Sequence, residues 1–450
     1  MMYKNEKQLL DKAREAIGKT FNEIDLHDRL SKGQKGGFGH IIEESHFGYE
    51  INSNAEPDFK DLGIELKVTP FKKNKNGTLS AKERLVLNII NYMEEVHTEF
   101  ETSSFWKKNR KLLLMFYEWK SEIERKNFKI IETTLYDYPE EDLIIIKKDW
   151  EYIVSKIHAG EAHLLSEGDT QYLGACTKGA NKSSVRQQPC SEIMAPQRAY
   201  SLKQSYMTSI VREVITDEKL TYFASANELR EKTINELLHE RFAPYLGMTQ
   251  RQMAEQLDVP FNPGNKAFIA KLISSLLGVK GTRLDNIAEF AKANIQFKTI
   301  RLKENGIPKE HMSFVNIDFK EIVKEDWEES YIRNYFLETQ LLFVVFQFKE
   351  EELIFKGIKL WHMPMDTIET KLYEYWNAIR SVVNEGVQFQ KTKRGLKNNL
   401  PDSKFNGVLH VRPKGRNAAD RTELPDGQWI TKQCYWLNDI YISQILKEMG

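Results

Sequence analysis

The chain has 450 residues, 41% of them apolar, which suits a soluble globular protein with two or three domains and a full core in each. Its 65 lysines and arginines balance its 65 aspartates and glutamates, so there is no bulk attraction to a polyanion and any nucleic-acid surface must be local. The amino terminus has no apolar signal core, the longest apolar runs (Leu112 to Tyr117, Leu341 to Phe346) are far too short to span a bilayer, and Cys176, Cys190 and Cys434 form no close pair or metal spacing; a reduced, cytoplasmic protein without membrane association is expected.

Residues 6 to 17 read as an amphipathic helix with Leu9, Leu10, Ala13 and Ile17 on one face. Gly18 ends it, and Thr20 can cap a short helix carrying Ile24 and Leu26. Lys35 to Phe47 opens with glycines and continues as a helix bearing Ile41 and Ile42, from which Glu43 or Glu44 can project. The following stretch, Pro57 to Lys67, organises the chain. Ile64 to Val68 reads as a strand, and alternation puts Glu65 and Lys67 on one face and Ile64, Leu66 and Val68 on the other. A short turn at Asp61-Leu62-Gly63 can fold Asp58 back towards Glu65. Two carboxylates with room for water suit Mg²⁺, and the lysine can orient water or stabilise developing charge. By spacing alone, the same residues also fit a solvated polar face on an edge strand.

Lys72 to Gly77 is a basic loop, either a plain hairpin turn at Asn76-Gly77 or a phosphate-contacting flap. Leu85 to Tyr92 reads as a strand. Ser104 to Phe116 carries a basic cluster, Lys107-Lys108-Asn109-Arg110-Lys111, straight into a buried strand. Trp150 to Gly160 reads as a helix with Trp150, Ile153, Val154 and Ile157 buried. Tyr172 to Asn181 and Arg198 to Lys203 follow.

The segment Lys35-Gly36-Gly37-Phe38-Gly39-His40-Ile41-Ile42-Glu43, followed by Asp58-Phe59-x-x-Leu62-Gly63-Ile64-Glu65-Leu66-Lys67, resembles the MutH family of DNA endonucleases, which includes a mismatch-repair strand nickase and restriction enzymes that cut GATC. The resemblance implies that Asp58 and Glu65 bind Mg²⁺, that Lys67 positions the attacking water, and that Glu43 and Lys108 assist. Lys107 and Arg110 become candidates for phosphate contacts. The stretch Tyr172 to Asn181 then matches the family's recognition segment, a strand ending in Arg-Pro-Lys-x-x-Asn. Lys178 takes the guanine-reading lysine's place, since a lysine can donate to O6 and N7. Cys176 stands where the family often has arginine, and Thr177 replaces proline. Tyr200 matches an aromatic residue near the adenine; on its own it reads more readily as a core or rim tyrosine, and order and spacing along the chain favour recognition.

The chain also repeats itself. One offset places Lys35…Phe38 on Lys266…Ile269, Asp58-Phe59 on Glu289-Phe290, and Ile64-Glu65-Leu66-Lys67 on Ile295-Gln296-Phe297-Lys298. With small changes of register, Ile17-Gly18-Lys19-Thr20 meets Leu246-Gly247-Met248-Thr249, Asn76-Gly77 meets Asn305-Gly306, Lys178 meets Lys414, and Tyr200 meets Tyr435. The second copy has lost chemistry: Gln296 replaces Glu65, Ser274 stands opposite Glu43, and Leu337 opposite Lys108. Its recognition segment keeps Arg412, Lys414 and Asn417.

The expectation is an α/β fold of two tandem MutH-like lobes, each a mixed central sheet flanked by helices, with residues 1–215 catalytic and 216–450 an inactive, DNA-binding effector. The expected function is a Mg²⁺-dependent type II restriction endonuclease cutting double-stranded GATC 5′ of the guanine and leaving 5′-phosphates. Its partner is GATC-containing duplex, with Lys178, Tyr200, Arg412, Lys414 and Tyr435 as contacts, and the chain is a monomer in solution that dimerises on DNA. Two rivals differ in outcome: a mismatch-repair nickase, which resembles a single lobe, and a non-catalytic GATC-binding regulator, which has no need of Asp58, Glu65 and Lys67.

Overall fold

An uninterrupted apolar run such as Leu112 to Tyr117 belongs to a strand covered on both faces, and in the computed structural model it lies inside a mixed four-stranded sheet. The structure describes residues 3–30, 37–51, 56–179, 183–392, 395–417 and 419–447. Lys35, Gly36 and Asn181, part of the expected motifs, lie outside the described residues.

The chain divides into two compact units, Met1–Ile234 with Leu284–Asn294, and Asn235–Arg283 with Ile295–Gly450. Residues between the expected junction at 215/216 and Ile234 pack with the first unit, as does the excursion Leu284–Asn294.

The strands of the first unit are β1 (Glu65–Lys73), β2 (Leu79–Ala81), β3 (Leu85–Ile89), β4 (Lys111–Glu118), β5 (Ile130–Asp137), β6 (Leu173–Thr177), β7 (Val185–Gln188), β8 (Ser191–Pro196) and β9 (Arg198–Leu202). The main sheet runs β2-β1-β4-β5, with β1 and β4 parallel and the other pairs antiparallel. A second sheet runs β3-β9-β6, and β7 pairs with β8. Leu66, Leu113 and Met115 join one core with Leu9 and Ala13 of the helix Glu6–Arg14, Phe21 and Ile24 of the helix Phe21–Ile24, and Phe38 and Ile41 of the helix Gly37–Ile41. The helix Glu140–His158 buries Ile145, Ile146, Trp150, Ile153, Val154 and Ile157. The predicted strand from Leu85 stops at Ile89, because Asn91 caps the short helix Tyr92–Glu95 by accepting from the Met93 N–H. The basic loop after β1 is a hairpin turn: Gly77 adopts φ +86°, and Asn76 Oδ1 accepts from the Thr78 N–H at 3.1 Å.

The second unit repeats this plan. Its strands are β10 (Ile295–Leu302), β11 (Met312–Asn316), β12 (Gln340–Lys349), β13 (Glu352–Trp361), β14 (Phe389–Thr392), β15 (Gly395–Asn398), β16 (Leu409–Pro413), β17 (Arg421–Glu423), β18 (Trp429–Thr431) and β19 (Gln433–Leu437). The sheet β10-β12-β13 matches β1-β4-β5 in direction, since β10 and β12 are parallel and β12 and β13 antiparallel. The sheet β11-β19-β16 matches β3-β9-β6. Local devices repeat as well. Gly18 and Gly247 adopt φ +84° and +80°, and Thr20 and Thr249 each close a capping box with the residue three further on. Asn305 Oδ1 accepts from the Ile307 N–H as Asn76 does from Thr78. The fold is therefore α/β with two tandem lobes of one architecture.

Candidate active site

The site of the first lobe is built by a tight reversal ahead of β1. Phe59 and Ile64 bridge through two backbone hydrogen bonds, Phe59 N to Ile64 O at 2.9 Å and Ile64 N to Phe59 O at 3.3 Å. Gly63 closes the turn at φ +67°, a left-handed conformation that favours glycine, while a Cβ there would only displace the end of the exposed Arg110 side chain. The reversal lays Asp58 beside the start of β1. The Asp58 N–H donates to Glu65 Oε2 at 3.2 Å, and Asp58 Oδ2 accepts from the Leu66 N–H at 3.0 Å.

Lys67, two residues along the same strand face, donates to Glu65 Oε1 at 2.8 Å. Lys108 reaches the same oxygen at 3.7 Å from the last turn of the helix Ser104–Asn109. That helix is fixed by Ser103, whose hydroxyl accepts from the Trp106 N–H, and by buried Asn109, whose amide donates to Asn88 Oδ1 and Phe105 O. Lys107 and Arg110 beside it are exposed.

Glu43 and Glu44 part company on the π-turn Ile42–His46, a helical irregularity common at functional sites. Glu44 is paired with Arg29, which holds its carboxyl below the usual range. Glu43 is half-buried; burial raises its carboxyl pKa, Glu65 raises it further, and Lys67 and Lys108 work against both. Asp58 is likewise raised, first by burial and then by Glu65, with the Leu66 N–H and Lys67 opposing. Like charges thus converge on one pocket where cations only partly offset them, the electrostatic condition that a dication relieves.

Lys178 follows β6, exposed, with its N–H donating to Gln197 O at 2.8 Å. The start of β6 is pinned by a residue sequence reading missed. Asp149, buried on the helix Glu140–His158, accepts from the N–H groups of Gln171, Tyr172 and Leu173 at 2.8, 2.6 and 2.9 Å. Burial pushes its carboxyl up to about 6 against those three donors. In the second lobe Lys414 occupies the matching place, exposed, its N–H donating to Lys432 O at 2.8 Å. Its Nζ donates to Ser313 Oγ at 2.6 Å, and Arg412 and Lys414 both lie over the Trp436 ring.

Two expected contacts are corrected. Tyr200 is 0% exposed and packs against Phe105, and Tyr435 is 3% exposed. The registers Ala175↔Tyr200 and Val411↔Tyr435 make them equivalent core residues. A side chain with no accessible surface offers nothing to an adenine, so both belong to the packing of the recognition strands, not to DNA contact.

The positions of the second copy that match this cluster make other bonds. Gln296 Oε1 accepts from the Tyr335 hydroxyl at 2.7 Å, Leu337 is buried, and Ser274 Oγ donates to Lys271 O. Glu289, which the sequence offset pairs with Asp58, lies instead in the first unit, on the helix Ala288–Lys292, and accepts from the N–H groups of Phe223 and Ala224; burial pushes its carboxyl up to about 7. Lys298 donates to Ser313 O and lies over Phe314.

A nuclease-like centre of acidic residues and lysines at the end of a mixed sheet defines the class, and the relatives agree. The family model for the DNA mismatch repair enzyme MutH matches residues 47–149 and 283–371, one stretch in each half of the chain. The type II restriction enzyme Sau3AI of Staphylococcus aureus is 38% identical over 489 aligned residues, covering 99% of both chains. The DNA mismatch repair proteins MutH of Shewanella woodyi and Pasteurella multocida are 29% and 27% identical over 45% and 41% of this chain, and 90% and 83% of their own length. The chain belongs to the MutH family of DNA endonucleases. It is a type II site-specific deoxyribonuclease, a restriction endonuclease whose substrate is DNA. Among the described residues, no helix is long and apolar enough to cross a membrane.

Proposed function

We propose that this endonuclease recognises duplex GATC and cuts 5′ of the guanine in a Mg²⁺-dependent reaction, using one active centre in the first lobe. The observation carrying this reading is the convergence of Asp58, Glu65 and Lys67 at the head of β1, next to Glu43 and Lys108. Asp58 and Glu65 are the cation's ligands. Two carboxylates suffice for an ion that keeps several waters, and among the described residues no closed cage of three His, Cys, Asp or Glu groups is formed. When bound, the ion supplies charge neutralisation at the phosphoryl group and a more acidic water. Lys67 would orient the attacking water, Lys108 would offset charge on the phosphate, and Glu43 would assist the site's charge balance.

Lys178 reads guanine from the exposed end of β6. The second lobe, Asn235–Arg283 with Ile295–Gly450, binds a second GATC through Arg412 and Lys414 and acts as effector without cutting. Because GATC is a palindrome and one chain has one centre, two monomers meet on DNA to cut both strands. Incubating the chain with Mg²⁺ and plasmids carrying one or two GATC sites tests this. Linear product, formed faster per site on the two-site plasmid, is expected. Nicked circles as the end product favour a MutH-like nickase, and bound but intact plasmid favours a GATC-binding regulator.

A further inference from the structure

A tyrosine at a protein surface normally keeps its ring against apolar neighbours and its hydroxyl in water. Tyr49 is reversed. The residue as a whole is only half-buried, yet its hydroxyl oxygen is buried and has no hydrogen-bond partner among the described residues. Its surroundings are those of the active centre. The Tyr49 N–H donates to Glu43 O at 3.2 Å, and its ring stands edge-on to Phe59, centroids 5.5 Å apart, at the foot of the reversal that carries Asp58. A phenol keeps its proton at neutral pH, so the buried hydroxyl is a donor, and Phe59, against which its ring stands, adjoins Asp58. On the register that pairs Glu65 with Gln296 and Glu43 with Ser274, Tyr49 falls on Lys280, an exposed residue bonded to Asp258. The hydroxyl is therefore missing from the copy that has lost the carboxylate and lysine.

We propose that Tyr49 is a positioning residue of the cleavage reaction: its hydroxyl donates a hydrogen bond inside the Asp58–Glu65 cation site, to a carboxylate oxygen or to a water ligand of the cation, and so orients what the carboxylates hold. The inference rests on the site reading given above. A group in this role acts on cation affinity as well as on rate, and loss of such a partner typically weakens metal binding or activity tenfold or more.

The test is Tyr49→Phe in the full chain, which keeps the ring and its packing. Tyr3→Phe serves as control: Tyr3 packs on Phe47 and on the same Phe59, but its hydroxyl donates to Phe47 O and it feels Glu15, not the site. Cleavage of a GATC duplex is followed against Mg²⁺ concentration, and Ca²⁺ binding to the enzyme–duplex complex is followed by calorimetry. For Tyr49→Phe, the half-saturating Mg²⁺ concentration is expected to rise about tenfold and Ca²⁺ affinity to fall in parallel, while Tyr3→Phe leaves both unchanged. Tyr49→Phe with unshifted cation dependence overturns the proposal, whether or not its rate falls, and so does an equal shift in Tyr3→Phe. Glu65→Ala is run alongside. If it still cleaves, the site reading itself fails; if it is dead while Tyr49→Phe behaves as wild type, only the role of Tyr49 fails.

Discussion

The two lobes share an architecture and differ at a handful of positions, and the difference separates what builds the fold from what performs the chemistry. The glycine turns, capping boxes, parallel strand pair and asparagine turn recur in both. At the head of β1 the first lobe spends its polar groups on one another: Glu65 receives the Asp58 N–H, Lys67 and Lys108. At the head of β10 the same places are stitched into the scaffold. Gln296 accepts from Tyr335, and Lys298 bonds to Ser313 O. A converging set of charges costs stability unless a ligand compensates it, whereas the hydrogen bonds at the head of β10 are satisfied locally.

The largest expected effect breaks the comparison outright. Glu65→Ala should lower cleavage by several orders of magnitude, since a metal-ligand carboxylate supplies several kcal/mol of transition-state stabilisation; retention of a tenth of the wild-type rate in a plasmid assay would refute the assignment. The reciprocal change, Gln296→Glu, should not create a second centre, because Leu337 and Ser274 still occupy the other positions. Combined with Glu65→Ala it should leave plasmid intact.

How the lobes resist acid should also differ. By strand register, His410 occupies the place that Gly174 has in the first lobe. It is buried with Nε2 unpartnered, and burial lowers its pKa to about 4. A histidine that must be neutral when folded but titrates near 6.5 when unfolded contributes full stability above that value and loses it as pH falls towards 4. Acid should therefore weaken the second lobe by on the order of 3 kcal/mol over that window, visible as urea midpoints of a second-lobe tryptophan signal. His410→Gln should flatten the dependence.

Readout by Lys178 and Lys414 is a smaller effect. Lys178→Ala should cost about 1–3 kcal/mol on GATC duplex and little on scrambled duplex, measured by titration in Ca²⁺. Lys414→Ala should spare basal cleavage and abolish stimulation by a GATC duplex added in trans. The smallest belongs to the hairpin turn: Lys72→Ala should weaken binding to all sequences and lower the salt slope by roughly one unit.

Much of this was legible because it is local. Asp58, Glu65 and Lys67 lie within one turn and one strand, so spacing and alternation bring them together, and the repeat showed as a series of motifs in one order. Tyr200 and Tyr435 were misplaced for a physical reason. All five residues of β9 are buried, so alternation carries no signal of which side chains reach solvent. Glu43 could be told from Glu44 only by the π-turn and by Arg29, and Asp149 does its work on backbone groups more than twenty residues away. Tyr49 carries no motif at all; its meaning comes from an inward hydroxyl.

The excursion Leu284–Asn294 has a consequence for synthesis. It brings Lys292 to Asp142, a fully buried carboxylate that also receives the Tyr206 and Tyr222 hydroxyls. The two partners of that ion pair are 150 residues apart. At ribosomal speeds the nascent first lobe must wait roughly 8–30 s after Asp142 is made before Lys292 follows. Through that interval Asp142 has no cation to pair with, and burying it alone is costly. The first unit can therefore complete this ion pair only after Asn235–Arg283, the leading segment of the second unit, has been made.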